Sequence, residues 1–322
     1  MNKKRENNWG KYMNKKILVI GLSGESVFLN LDHFNKPGET IQAIDKKTEP
    51  GGKGYNQAIA LGKLGCDVTF ITALGNEEIN KLLKKELEII GKDIQYQEAV
   101  LDVLENNENI EFLILSSIIP GQFNIYEFIN LIISVDSKGE NNVIVYKGAS
   151  ELITFEDIYN NYKQNLDSAE IILLQLEFNE ELTTQLIDYL YEKDKIIVVN
   201  PAPRNYLSVE TLQKVNILTP NEFELSLLNI NKIKATVITT LGNKGAKLEK
   251  DNKLFTSYKV KAIDTTGAGD IFNAGLVCQI SKGKTIEEAI DFANACSALE
   301  VTKKGVVDAI PTYDEVIKFM KG

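Results

Sequence analysis

Short apolar runs punctuate the chain, and each is followed by a stretch with helical spacing. The pattern predicts core strands at Ile17–Gly21, Val68–Thr72, Ile171–Leu176, Ile196–Asn200, Val215–Thr219 and Thr236–Thr240. Runs such as ILVIG, IILLQL, IIVVN and VITT are apolar on both faces, the signature of a parallel sheet covered by helices on each side. Helices are predicted at Asn56–Lys63, Glu77–Ile89, Glu180–Glu192 and Asn221–Leu228. Thr285 with Glu288 makes a capping box that opens another helix through about Ser297. The β-α-β alternation implies right-handed crossovers and a doubly wound α/β architecture. In such sheets ligands bind beyond the carboxyl ends of the strands. Those ends read Gly21-Leu-Ser-Gly-Glu, Leu176-Glu177, Asn200-Pro-Ala-Pro, Thr219-Pro-Asn-Glu and Thr240-Leu-Gly-Asn. Asn and Glu recur there more often than turns require.

Two segments break the rhythm. Residues 26–50 and about 95–147 alternate apolar and polar without a helical period, and together predict a small separate sheet; the second ends in the strand Val143–Tyr146. Within it, the apolar islands of Leu104–Ile133 read equally as strands or short helices. Met13 opens a second MNKK after the polar start MNKKRENNWGKY, so residues 1–12 are expected to form an extension outside a domain spanning 13–322.

Composition narrows the chemistry. With 36 Lys and Arg against 45 Asp and Glu, the formal net charge of the 322 residues is -9. No basic block favours nucleic acid or an anionic membrane, and no apolar run reaches a spanning length. The three cysteines, Cys66, Cys278 and Cys296, are widely spaced and form no CxxC, which predicts a reduced, cytoplasmic protein. The single histidine, His33, rules out mechanisms that need two, such as HExxH hydrolysis; it sits in a turn-rich stretch and reads as a surface or lid residue. Gly283-Lys-Thr285 resembles the end of a Walker A loop, but Cys278 stands where the first glycine is required.

Four constellations remain. In Asp264-Thr-Thr-Gly-Ala-Gly-Asp270 a glycine turn feeds an apolar helix. Free N–H groups at Gly267, Ala268 and Gly269, with the positive end of the helix dipole, make an anion site. Asp270 would repel a bound anion, but suits a base that takes a proton from an alcohol attacking that anion. Gly51-Gly-Lys-Gly-Tyr-Asn-Gln57 opens a second helix, with Lys53 and Asn56 as donors and glycines that allow close approach. Asn221 and Glu224 share one face of a first helical turn; they suit an outer-shell hold on Mg²⁺, and a plain helix cap accounts for them as well. Thr240-Leu-Gly-Asn-Lys-Gly245 is a strand end with a glycine turn, weak alone.

In order, GGKGYNQA, QLE, NPAP, TPNEFE, TLGNKG and DTTGAGDIFNAG resemble the ribokinase-like carbohydrate kinases, the phosphofructokinase-B family, from about Ile17 to the C-terminus. NPAP, TPNE and KPGET at Lys36–Thr40 are most similar to its ribokinase branch. The resemblance implies a three-layer αβα core with a mostly parallel sheet, plus a β-sheet lid that often dimerises. It implies transfer of phosphate from ATP, with Mg²⁺, to a hydroxymethyl group of a small sugar. By motif position Asp270 is the base and Gly267, Ala268 and Gly269 the anion hole. Gly52, Lys53, Gly54, Asn56 and Glu177 contact the sugar. Asn221 and Glu224 lie near Mg²⁺ and phosphate, and Thr240, Gly242, Gly245 and Asn294 on the nucleotide side. Asp264, Thr266 and the turn Val301–Gly305, with Lys303, resemble a monovalent-cation (K⁺) loop that works mostly through backbone.

Three departures qualify this. Ribokinases carry Asn-x-Asp near the first strand, whereas Gly24, Glu25 and Ser26 stand here. Losing that carboxylate removes a charge-assisted grip on a diol, which counts against ribose itself. Glu25 and Ser26 are adjacent, so on a strand only one faces the sugar. The crossover between Glu224 and Thr236 is short of a helix usual in the family, and Leu104–Ile133 does not follow the family's lid text. Two other functions stay open: a nucleoside kinase of the same fold, for which Phe28, Phe34 and Tyr55 offer aromatic surface, and a non-catalytic sugar or nucleotide sensor.

Overall fold

The computed structural model describes residues 15–74, 110–116, 130–137, 141–146, 148–151, 153–203 and 207–322. The expected extension at 1–12 and the helix expected at Glu77–Ile89 lie outside them.

The chain alternates strands and helices. Its strands are β1 (Ile17–Ile20), β2 (Gly24–Asn30), β3 (Asp45–Gly51), β4 (Val68–Leu74), β5 (Ile110–Ser116), β6 (Asn130–Val135), β7 (Asn141–Tyr146), β8 (Ile171–Gln175), β9 (Ile196–Asn200), β10 (Ile217–Leu218), β11 (Thr236–Thr240), β12 (Ala246–Leu248) and β13 (Lys253–Phe255). Its helices, numbered over the described residues, are α1 (Lys53–Lys63), α2 (Phe155–Ser168), α3 (Glu180–Glu192), α4 (Val209–Leu212), α5 (Glu222–Ser226), α6 (Ala268–Ser281), α7 (Ile286–Glu300) and α8 (Tyr313–Lys321).

A nine-stranded sheet runs β13-β12-β11-β10-β9-β8-β1-β4-β5. It is parallel from β5 to β11 and ends in the antiparallel hairpin β11-β12-β13. The continuous apolar runs are explained by β1. Ile17 and Val19 enter the core shared with α1, α6, α7 and α8, while Leu18 and Ile20 enter the opposite core under α2, α3 and α4. Helix α6 is apolar nearly all round because it is buried from Asp270 to Ser281, packed between α1 and α7.

A second sheet of four strands, β3-β2-β6-β7, forms the lid. Residues 26–50 do form an antiparallel pair, β2 with β3. The span 95–147 does not belong wholly to the lid: Ile110–Ser116 pairs with β4 as the edge of the main sheet, and only β6 and β7 join β2. The helix expected at Asn221–Leu228 is a single turn, Glu222–Ser226, followed by a 3₁₀ turn at Ile230–Lys232. That short crossover still closes β10 against β11 in parallel. Among the described residues no helix is long and apolar enough to cross a membrane. All three cysteines are free and buried.

Candidate active site

Helix α6 starts without a side-chain cap. Its N-cap is Gly267 at φ 92, a left-handed conformation that glycine adopts without steric cost. A β-carbon there would also stand 2.7 Å from Val306 Cγ1. The Asp270 amide turns inward to Gly267 O (2.8 Å), and Ala268 N–H makes only a long bond to Thr265 O (3.4 Å). A β-carbon on Gly269 would meet nothing within 4 Å. The turn thus offers a backbone N–H at the positive end of a 14-residue helix toward open space.

Asp270 is buried (5% exposed) but does not cap its own helix. Oδ2 accepts from Asn56 Nδ2 at 2.9 Å and Oδ1 from Gln57 Nε2 at 2.9 Å. Gln57 Oε1 in turn accepts from Gln175 Nε2 at 2.6 Å, at the end of β8. Two amides therefore fix the orientation of the carboxylate, and a third fixes one of those. Asn273, one turn further along α6, donates to Gly269 O (2.8 Å) and accepts from Thr219 Oγ1 (2.6 Å), which holds the turn to the end of β10.

Helix α1 opens on Gly52 at φ 104. A β-carbon on Gly52 would stand 2.5 Å from Leu22 O, and one on Gly54 2.6 Å from the Gly21 backbone, so the helix crosses the end of β1 closer than any side chain permits. The Lys53 amide donates to Glu177 Oε2 at 3.2 Å. Burial pulls the Lys53 ammonium down, but the fields of Asp270, Glu177 and Glu224 prevail and lift it above the ordinary lysine value.

At the third helix start the plain cap is real. Asn221 Oδ1 accepts from Glu224 N (2.8 Å) and Glu224 Oε2 accepts from Asn221 N (2.9 Å). Glu224 is nonetheless buried. Burial pushes its carboxyl up, against the pull of the cap bond and of Lys53.

Two cavities meet here. One, of about 540 Å³, runs along the ends of β9–β11 and includes Asn221, Thr240, Gly242 and Gly269. The other, of about 250 Å³, lies under the lid and includes Ser26, Gly52, Asn56, Glu177 and Thr266. Lys53, Ala202, Glu224, Gly267 and Asp270 border both, so the carboxylate and the anion turn stand at their junction.

Seven expected residues line neither cavity. Gly54 and Gly245 permit close packing; a β-carbon on Gly245 would stand 2.0 Å from Phe255 O. Asn294 Nδ2 donates to Phe255 O at 3.0 Å, tying α7 to β13. Ala268 O accepts from Ser297 Oγ at 2.8 Å. Asp264 holds two turns together, accepting from Thr266 N (3.0 Å) and Gly305 N (3.1 Å). Lys303 N closes onto Glu300 O at 3.1 Å, and its position is exposed. His33 bridges Asp32 and Glu39 on the exposed loop after β2.

Gln57, Gln175, Asn273 and Glu49 carry no role in the sequence reading. Gln57 and Asn273 stand inside quoted motifs, one after Asn56 and four after Gly269, and that spacing was a usable signal. Gln175 opens the quoted QLE motif, two residues before Glu177, and is marked in the same way; nothing local marks Glu49. Ser26 faces the lid cavity and Glu25 does not, as strand alternation requires. Glu49, directly opposite Ser26 on β3, places a carboxylate on the same wall.

The fold and this junction define a phosphoryl-transferring enzyme of the α/β class. The model of the pfkB family of carbohydrate kinases matches residues 14–108 and 130–313. The chain is 31% identical to the ribokinase of Bacillus subtilis over 312 residues, covering 94% of this chain and 98% of that one. Its similarity to the solved ribokinase of Thermotoga maritima is 31% identity at a TM-score of 0.74, covering 96% and 100%. It shares the fold of Arabidopsis thaliana ribokinase complexed with ribose and ATP, at 23% identity and a TM-score of 0.71, covering 96% and 100%. The chain belongs to the pfkB family of carbohydrate kinases. It is an ATP-dependent kinase that phosphorylates a sugar.

Proposed function

We propose that the enzyme phosphorylates the hydroxymethyl group of a small sugar held under the lid, with ATP in the larger cavity. The observation that carries this reading is the position of Asp270: oriented by two amides, beside an uncapped helix start, where the two cavities meet. The acceptor hydroxyl gives its proton to Asp270 as its oxygen attacks the terminal phosphorus of ATP in line, and the bond to the β-phosphate oxygen breaks to release ADP. The amides of residues 267–269 and the Lys53 ammonium hold the charge that gathers on the transferring group.

No three acidic, cysteine or histidine groups among the described residues form a metal cage. This suits Mg²⁺, which keeps waters and takes phosphate oxygens as ligands. Glu224, with Asn221 beside it, would hold it through water, and the ion would neutralise phosphate charge. A monovalent cation belongs, on this reading, between the turns at 264–266 and 301–305 that Asp264 ties together.

Ser26 offers one hydroxyl where a carboxylate would grip a diol, which favours a sugar other than ribose. A second reading, a nucleoside acceptor, draws on the apolar lid wall of Phe28, Ile133, Val143 and Val145. ADP release over a panel of pentoses, hexoses and nucleosides tests both: turnover confined to sugars or to nucleosides chooses between them, and binding without turnover returns the chain to a sensor. Exposed Val143 and Ile144 on β7 support a homodimer through the lid. Ile144→Asp is expected to shift the mass seen by light scattering to the monomer, and an unchanged mass counts against that contact.

A further inference from the structure

A carboxylate lies behind the phosphate turn with nothing to hold it. Glu300, the last residue of α7, is fully buried, and neither of its oxygens has a hydrogen-bond partner among the described residues. A β-carbon built on Gly267 would stand 3.3 Å from Glu300 Oε1, so this oxygen sits against the glycine that opens the anion turn. Glu300 lines neither cavity; it occupies the side of the turn away from both substrates.

Its neighbours cannot neutralise it. Asp264 is itself acidic, and its oxygens are taken by Thr266 N and Gly305 N. Lys47, over the Gly305 turn, pairs with Glu49 and Asp308. Among the described residues no ammonium reaches Glu300. An unpaired buried charge is costly, and a negative one directly behind Gly267 also repels the phosphoryl group that the turn must hold.

We propose that Glu300 is a direct carboxylate ligand of a monovalent cation seated behind Gly267, between the turns at 264–266 and 301–305. The proposal rests on the kinase reading for its purpose, which is to place a positive charge behind the turn that holds the phosphoryl group. One unsatisfied carboxylate supplies one negative charge, and among the described residues no three acidic, cysteine or histidine side chains form a divalent cage. A weakly hydrated cation such as K⁺ or NH₄⁺ fits that balance.

Thermal melting of the whole chain, without nucleotide or sugar, tests it. K⁺ and NH₄⁺ are titrated against tetramethylammonium at matched ionic strength. A saturable rise in Tm is expected for the native chain, with the dissociation constant raised at least about tenfold in Glu300→Gln. An equal response in Glu300→Gln, no response in the native chain, or a stronger response to Mg²⁺ than to K⁺ overturns the proposal. Should Glu300→Gln fail to fold, native crystals soaked in Rb⁺ decide. An anomalous peak in coordination contact with a Glu300 oxygen supports the site, and a peak elsewhere or none overturns it. No step uses turnover, so a chain that binds the cation but phosphorylates nothing sinks the kinase reading alone.

Discussion

Helices α5 and α6 each carry an acidic residue at the third helical position, and they use it in opposite ways. At α5 the Glu224 carboxylate folds back onto the Asn221 amide, and Asn221 answers with its side chain. At α6 the N-cap is a glycine with no side chain to give, and Asp270 turns to Asn56 and Gln57 of another helix. Reciprocal caps like that of α5 also open α2, α7 and α8. A chain that closes its helix starts so regularly leaves the α6 start open for a ligand. The acidic residue there is held by partners on another helix, and its oxygens do not bond the backbone of its own.

The largest break in this contrast is Asp270→Asn. It keeps the shape and is expected to lower kcat at least about 10³-fold while ATP binding, measured by calorimetry, stays near native. Gln57→Leu strips one orienting amide and leaves Gln175 unanswered. We expect kcat to fall about 10- to 100-fold and stability to fall by about 1–3 kcal/mol in urea unfolding. Gly267→Ala forces a β-carbon into Val306 at a left-handed φ; a loss of about 1–3 kcal/mol should accompany a sharp loss of turnover. Asn221→Ala removes the cap of α5 and should cost about 1 kcal/mol, with a far smaller effect on kcat than Asp270→Asn. Equal effects would mean that the two helix starts are not different in kind. Thr285→Ala, at an exposed reciprocal cap, should also cost about 1 kcal/mol in melting experiments and leave kcat unchanged.

What could be read from the residues follows from the range of the forces involved. Gly52 and Gly267 were legible because a left-handed turn into a helix demands glycine locally. Six of the nine strands of the main sheet, β1, β4 and β8–β11, were legible because burial on both faces favours continuous apolar runs. The partners of Asp270 were not, because Gln57 and Gln175 lie 213 and 95 residues away from it or beyond a second contact, joined only by folding. Glu300 reads as one more acidic residue near a helix end, until the structure shows that none of the described residues bonds its oxygens. Ile110–Ser116 was assigned to the lid because an apolar run carries no label for the sheet it joins. Motif position puts Asn294 on the nucleotide side, and only the structure shows that its amide bonds a neighbouring strand.

Because Asn56 and Gln57 meet Asp270 across more than 200 residues, assembly of the site has a timetable. A ribosome releases α1 long before it releases α6, and β1 must wait for β8 before it is paired on both sides. For most of synthesis the amides of Asn56 and Gln57 have no carboxylate to meet. The same contact sets a rule for cutting the gene: a fragment ending before residue 270 lacks the carboxylate that Asn56 and Gln57 hold and also the helix that packs on α1.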